Sequence, residues 1–341
     1  MKNFEFADIA ELIGKSRSVV VTSHHNPDGD AIGAVLAMAL ILRKMGKKAV
    51  AVIPNDYPTF LKWMPASDNI IIFRQNGDNA SKIISNADLI FCLDYTGLDH
   101  TADLEESLRK AKAKKILIDH HLEPVLSEFD YYFSVIQISS TSELLYRFLV
   151  GCSYLDHMDR DIATCLFVGI MTDTGSFSFS CNYEETFQIA ATLVGTGINP
   201  EKIHRLVYDT YSENRLRLLG YCLSNKLTIL PELSTAYIAL SMDELERFHH
   251  QVGDTEGVVN YALSIDNIKI AILLTEKKDR IRLSFRSKGD FSVNSIARDY
   301  FKGGGHKNAA GGDSFVSLDN TIIKLKEVLG QYKAEIDRSS F

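Results

Sequence analysis

The chain has 341 residues, 45% of them hydrophobic, and carries 37 Lys or Arg against 44 Asp or Glu, a formal charge of −7. That length and apolar content can fill two substantial cores, so two domains are expected, and the acidic balance excludes the extended basic footprint that long nucleic acid favours. No apolar run approaches a membrane span and the first residues lack the apolar core of a signal peptide, so a soluble, cytoplasmic protein with no membrane partner is expected.

In chain order, residues 4–13 have the spacing of a docking helix. Residues 18–22 read as a short buried strand, and residues 31–45 as an Ala-rich apolar helix ended by Gly46. Residues 49–53, 70–73, 89–93 and 116–118 read as further strands, with helical or loop segments between. Near-continuous apolar strands alternating with helices predict an α/β fold with a doubly wound, mainly parallel sheet covered on both faces. In such sheets ligands gather beyond the carboxyl ends of the strands, where the strand order reverses.

The residues at those ends are suited to metal. His24-His25-Asn26-Pro27-Asp28-Gly29-Asp30 follows the first strand. Its Asn-Pro-Asp-Gly core is ordinary turn chemistry, but His24, Asp28 and Asp30 all project from one short loop. Asp94 and Asp119-His120-His121 sit just past two later strands, and Asp173, which alone would read as a turn or cap residue, follows an apolar helix-like run at residues 162–170. Asp28, Asp30, Asp94 and Asp173 with His24 and His120 supply four carboxylates and two imidazoles. Gathering that negative charge in one cleft without cations would be very costly. Two divalent cations would offset it, and the mixed O/N donor set favours Mn²⁺, with Mg²⁺ the other candidate. A water between two such ions loses its proton near neutral pH, so no Ser or Cys nucleophile is required. The five cysteines form no CxxC pair and read as core residues in a reducing compartment.

Residues 184–194 read as a helix, 195–200 as a break and 201–223 as one long helix, with a new β-rich region opening at Pro231. This divides the chain into a metal-binding domain at residues 1–185, a helical linker at 186–228 and a smaller α/β domain at 229–341. In the last of these, strands at 268–276 and 280–287 form a hairpin turning at Lys278-Asp279, and a helix at 293–301 runs into Gly303-Gly304-Gly305-His306. A Gly-rich loop allows backbone N–H groups to cradle an anion. Residues 277–307 carry nine Lys or Arg against three Asp, a local +6, so the remainder carries −13. Lys277, Lys278 and Arg280 read as solvated hairpin surface, while Arg286, Lys288, His306 and Lys307 are better placed to meet phosphate. One local basic patch on an acidic protein fits short or mononucleotide substrates.

These motifs together resemble the DHH phosphoesterases: His24-x-x-Pro27-Asp28-Gly29-Asp30, Asp94, Asp119-His120-His121, Asp173-Thr-Gly175 and Gly303-Gly304-Gly305-His306-x-x-Ala309-Ala310-Gly311, in the family's order across nearly the whole chain. The last motif marks the DHHA1 branch, and size and layout look like the stand-alone oligoribonuclease and pAp phosphatase type, or nanoRNase. The resemblance implies that His24, Asp28 and Asp94 hold one metal and that Asp30, Asp94, His120 and Asp173 hold the second, Asp94 bridging. It further implies that Asp119 orients its neighbours, that His121 contacts the scissile phosphate, and that the second domain, with Gly303, Gly304 and Gly305, grips the rest of the substrate. A homodimer is what the family suggests. One departure is Ser178, within Ser176-Phe177-Ser178-Phe179-Ser180, where many relatives carry an Arg.

The expected activity is metal-dependent hydrolysis of short oligoribonucleotides to nucleoside monophosphates, with removal of a phosphate from 3'-phosphoadenosine 5'-phosphate left open. A phosphodiesterase of cyclic or linear dinucleotides would use the same core. A pyrophosphatase or polyphosphatase would share the first-domain motifs but not the Gly303–311 loop, and a non-catalytic nucleotide-binding regulator would be expected to have lost a ligand.

Overall fold

The computed structural model describes residues 1–251 and 253–340, and the chain forms two units, Met1–Thr210 and the part from Tyr211 onward. The first unit holds β1 (Ser18–Thr22), β2 (Lys48–Ile53), β3 (Ile71–Ile72), β4 (Leu89–Leu93), β5 (Lys114–Asp119) and β6 (Tyr131–Ser134). All neighbours run parallel, in the order β3-β2-β1-β4-β5-β6. Its helices are α1 (Phe6–Lys15), α2 (Gly29–Lys44), α3 (Gly77–Ser85), α4 (Glu105–Lys110), α5 (Thr141–Gly151), α6 (Arg160–Asp173), α7 (Glu184–Gly195) and α8 (Pro200–Tyr208).

Alternation along the strands divides the core between the faces. Val19 and Val21 pack with α2, α5 and α6, while Val20, Ile90 and Leu117 pack with α3 and α4. The doubly wound parallel sheet is therefore as expected. Its order reverses between β1 and β4, which opens a crevice at their carboxyl ends. Thr22 lies beside Cys92 and Leu93 beside Ile118, so His24, Asp94 and Asp119 emerge at the same edge.

The structure departs from the sequence reading in four places here. The strand expected at residues 70–73 is only the two residues of β3, and β6 and α5 were not anticipated. The single helix expected at 201–223 is two, α8 and α9 (Glu213–Tyr221). Asp209 closes α8, and Ser212 caps α9 by accepting from the Arg215 N–H at 3.1 Å. Of the segment 186–228, α7 and α8 pack on the first unit's core through Ile189, Leu193, Ile203 and Val207, whereas Leu218 of α9 belongs to the second unit's.

The second unit continues with β7 (Leu227–Leu230), β8 (Thr235–Leu240), α10 (Met242–Arg247), α11 (Val258–Leu263), β9 (Ile270–Glu276) and β10 (Ile281–Ser287). Then come α12 (Val293–Phe301), β11 (Gly304–Gly305), β12 (Ala309–Ser314), α13 (Leu318–Gln331) and α14 (Lys333–Arg338). The sheet order is β11-β12-β10-β9-β8-β7; only β8 and β9 run parallel. The expected β9–β10 hairpin is present. All five cysteines are buried and unpaired, in keeping with a core role.

Candidate metal centre

Each acidic side chain at the crevice is fixed by a local structural cause. Asp28 caps α2, its Oδ1 accepting from the N–H groups of Asp30 at 3.0 Å and Ala31 at 3.1 Å. Asp30, in the first turn of α2, is buried, and its carboxylate accepts from the backbone N–H groups of Thr141 (2.6 Å) and Ser142 (2.8 Å) at the start of α5. Asp94 follows β4 in a left-handed conformation, φ 67°, and accepts from Thr141 Oγ1 at 2.9 Å. A side-chain-bearing residue held there is strained backbone of the kind found at functional sites. Asp173 ends α6.

The α2–α6 crossing that joins Asp30 to Asp173 depends on glycine. A Cβ on Gly33 would lie 2.5 Å from Cys165 O, and one on Gly169 would lie 1.9 Å from Ser142 Oγ and 2.7 Å from Asp30 Oδ1. No side chain fits at either position, so the helices approach closely only because these residues lack one.

The imidazoles complete the cluster. His120 Nε2 lies 3.4 Å from Asp173 Oδ2, 3.6 Å from Asp94 Oδ1 and 3.9 Å from Asp30 Oδ2. His24 Nε2 lies 3.5 Å from Asp94 Oδ2. Ligand atoms of His24, Asp28 and Asp94 lie mutually within 4.8 Å, as do those of Asp30, Asp94 and His120, and those of Asp94, Asp119 and His121. Asp94 is common to all three groups. Asp119, fully buried, accepts from His121 Nδ1 at 2.8 Å and from the His121 N–H at 3.2 Å.

The electrostatics test whether cations fit. Burial, then the charge of Asp94, pushes Asp30 well above the ordinary carboxyl range, and burial with the charges of Asp30, Asp28 and Asp94 does the same to Asp173. Burial also penalises Asp94, but the His24 hydrogen bond and the neighbouring imidazoles hold it below that range. His24 Nδ1 lies 2.9 Å from His25 O, which can only accept, so Nδ1 carries the hydrogen and neutral His24 turns an unprotonated Nε2 toward Asp94. Lone pairs face each other there unless a positive charge intervenes. Without metal a proton serves: burial opposes it, but Asp94 and Asp28 raise His24 to about 9. Burial and His121 lower His120 to about 4, and its hydrogen bond with the Ile138 backbone leaves Nε2 as the basic atom aimed at the carboxylates. Mutually repelling buried carboxylates and two imidazoles presenting basic Nε2 atoms are a donor set that fits divalent cations.

The sequence reading did not identify Thr141, Ser142 or Glu143. Ser140 caps α5 by accepting from the Glu143 N–H at 3.0 Å, and the Ser140-x-x-Glu143 spacing is a helix-start signal that could have located them. The fully buried Glu143 carboxylate instead accepts from Ser139 Oγ and from Thr186 Oγ1 (2.7 Å), and pairs with Arg147.

In the second unit, Gly303, Gly304, Gly305, His306 and Lys307 lie between α12 and β12. Two of the three glycines are required sterically: a Cβ on Gly303 would lie 1.9 Å from Gly311 O, and one on Gly305, at φ 140°, 2.6 Å from Ala309 O, whereas one on Gly304 would meet only Asn294 Oδ1 at 3.8 Å. Gly303 N–H donates to Ala297 O at 3.0 Å and His306 N–H to Ala309 O at 2.7 Å, so those two amides are engaged within the fold. Arg286 Nη1 donates to Phe285 O and Lys288 Nζ to Ile265 O, each at 3.0 Å, while Lys307 lies 3.3 Å from Asp290.

The DHH family N-terminal domain model matches residues 18–170, and the DHHA1 domain model matches residues 236–332. The chain belongs to the DHH/DHHA1 phosphoesterase family. It is therefore an enzyme acting on phosphoester bonds. It is 27% identical over 334 residues, 96% of this chain and 99% of the relative, to the bifunctional oligoribonuclease and PAP phosphatase NrnA of Bacillus subtilis. It is also 25% identical to the cyclic-di-AMP phosphodiesterase GdpP of that organism, of whose length it spans 49%. Among solved structures it resembles an exopolyphosphatase-related protein from Bacteroides fragilis, with a TM-score of 0.93, 36% identity and coverage of 98% of this chain and 97% of the other. Among the described residues no helix is long and apolar enough to cross a membrane.

Proposed function

We propose that the enzyme hydrolyses short oligoribonucleotides to nucleoside monophosphates and removes a phosphate from 3'-phosphoadenosine 5'-phosphate. The observation that carries this reading is the convergence of His24, Asp28, Asp30, Asp94, His120 and Asp173 at one sheet edge, in a chain that spans nearly all of a relative named for those two activities. His24, Asp28 and Asp94 would hold one divalent cation, and Asp30, Asp94, His120 and Asp173 the second; the oxygen-rich set with imidazole favours Mn²⁺. When bound, such a pair supplies a deprotonated water at neutral pH and offsets charge on the attacking and leaving oxygens.

The chain's own residues do the rest. Asp119 fixes the His121 ring through Nδ1 and, after the penalty of burial, raises its pKa to about 10. With its ring so held, His121 would contact the scissile phosphate. Asp30 and Asp94 are locked by the amides and hydroxyl of Thr141 and Ser142 before substrate arrives, which fixes the ligand geometry in advance. Arg286, Lys288, His306 and Lys307 through their side chains, with the backbone of Gly304 and Gly305, would hold the remainder of the substrate. Cyclic dinucleotides, or linear ones such as pApA, are a second substrate class, favoured by the likeness to the cyclic-di-AMP phosphodiesterase GdpP.

The test is to incubate metal-stripped protein with Mn²⁺ and a 5'-labelled RNA ladder from two to about twenty-four nucleotides, the longer lengths probing the absence of an extended basic footprint. Preferential loss of the shortest species, abolished by Asp94→Ala, is expected. Turnover of pyrophosphate, polyphosphate or cyclic dinucleotide with every RNA length intact would overturn the substrate while keeping the site.

A further inference from the structure

The segment after Asp173 has a role that metal binding does not explain. Gly175, Ser176 and Phe177 are consecutive left-handed residues (φ 53°, 59° and 62°), and Ser180 is a fourth (φ 51°). Side-chain-bearing residues rarely adopt this conformation, and where it persists the surroundings hold it. Here the buried Thr174 does so. Its Oγ1 accepts from the Phe177 N–H at 3.0 Å, and its carbonyl accepts from the N–H groups of Ser178 (2.8 Å) and Phe179 (3.1 Å), while the Ser176 N–H donates to Met171 O at 2.7 Å. Phe177 anchors the turn between Phe167 and Phe187, with both ring centroids at 5.8 Å.

This rigid turn displays one ring. Phe179 folds back on Gly175, where an added Cβ would lie 2.1 Å from its Cε1, yet it remains 46% exposed. The ring thus lies over backbone two residues beyond Asp173. Residues 174–183 contain no charged side chain, so the turn offers a phosphate no cation; it offers an aromatic face among hydroxyls. We propose that Phe179 is the stacking platform for a nucleobase next to the scissile phosphate, a specificity-determining contact that makes the enzyme select nucleotidic diesters over phosphoesters without a base. Aromatic stacking suits this role because every base presents a π-face, so length and phosphate position, not sequence, set the choice. The inference rests on the oligonucleotide reading given under Proposed function.

The test compares the wild type, Phe179→Leu and Phe179→Trp, loaded with Mn²⁺, on a diribonucleotide and on two analogues in which one or the other nucleoside is abasic. The readout is the ratio of kcat/KM for the dinucleotide to that for each analogue. Phe179→Leu is expected to lower this ratio about tenfold for one analogue, through the KM for the dinucleotide, and Phe179→Trp to hold or raise it. A merely structural Phe179 would depress all three substrates alike and leave the ratios unchanged, which would overturn the proposal. If Phe179→Leu fails to fold, a fall in the ratio with Phe179→Trp overturns it as well. Should the wild type cleave neither dinucleotide nor analogue, the oligonucleotide reading fails and the stacking role with it; cleavage with unchanged ratios removes the stacking role alone.

Discussion

Replacing Gly169 by Ala probes the packing that positions the metal centre without altering any ligand. The new Cβ would begin 1.9 Å from Ser142 Oγ, 2.6 Å from Ser142 Cβ and 2.7 Å from Asp30 Oδ1, whereas comfortable contacts lie near ~3.5 Å. Relief requires shifts of about 1 Å in the start of α5 or in the Asp30 carboxylate. Retreat of α6 would instead open the contact at Gly33, where α2 and α6 meet backbone to backbone. Overpacking of this kind costs about 1–3 kcal/mol, and removing a helix-interior glycine returns about 0.5–1 kcal/mol. The net loss is therefore about 1–2 kcal/mol, or about 3–6 °C in Tm for a unit of this size. Displacement of Asp30 should also weaken Mn²⁺ binding by about tenfold. Calorimetric melting of metal-free protein and titration with Mn²⁺ read the two effects separately. Gly195, at the end of α7 with nothing within 4 Å of an added Cβ, is the control and should tolerate Ala. A Tm for Gly169→Ala that equals or exceeds the wild type, with unchanged Mn²⁺ affinity, would refute the argument that the α2–α6 approach sets Asp30.

Three further outcomes follow from the same structure. Removing metal with a chelator should lower the melting temperature, and restoring Mn²⁺ to 100 times its Kd should return about 2.7 kcal/mol; a metal-independent Tm would argue against a cluster held apart by its own charge. Glu143→Ala deletes a fully buried carboxylate on which Ser139, Thr186 and Arg147 converge. It should cost about 3 kcal/mol in urea denaturation, since it leaves the buried Thr186 hydroxyl and a half-buried Arg147 short of a partner; a loss below about 1 kcal/mol would show that Glu185, 2.7 Å from Arg147, compensates. Glu244 in the second unit is penalised by burial but held at about 2, below its ordinary 4.5, by Lys226, Tyr221 and the Ser241 N–H. A carboxyl depressed on folding stabilises fully above 4.5 and loses that contribution as pH falls toward 2. The stability gap between wild type and Glu244→Gln should therefore be widest near neutrality and close in acid; a gap independent of pH would contradict the pairing.

The parallel sheet and the site were legible because both are written in strong local signals. Short apolar runs mark β1, β4 and β5, and His24, Asp94 and Asp119 stand at or just past their carboxyl ends, so a doubly wound sheet brings them together whatever the details between. What escaped had weaker local signals. β6 is three partly exposed residues and the buried Ser134 at a sheet edge, whose place is set by pairing with β5, as in Asp119 beside Ser134. α5 begins in Ser139-Ser140-Thr141-Ser142, a run that reads as loop unless the Glu143 spacing is noticed. The helix expected at 201–223 kept its apolar period across Asp209 to Ser212, where two capping residues decide the break. The Gly303–Gly305 run reads as an anion cradle, and the structure adds a steric need for glycine at Gly303 and Gly305 that composition cannot reveal.

The most direct test of the account is a count of bound Mn²⁺ by equilibrium dialysis with metal analysis, for the wild type and for Asp28→Asn, Asp173→Asn and Asp94→Asn. Because Asp94 belongs both to the group with His24 and Asp28 and to the group with Asp30 and His120, while Asp28 and Asp173 each serve one side, two equivalents are expected for the wild type. One is expected for Asp28→Asn and for Asp173→Asn, and none held tightly for Asp94→Asn. A wild type saturating at one equivalent, or an Asp94→Asn variant that keeps two, would contradict the paired-cation centre on which the proposed chemistry depends.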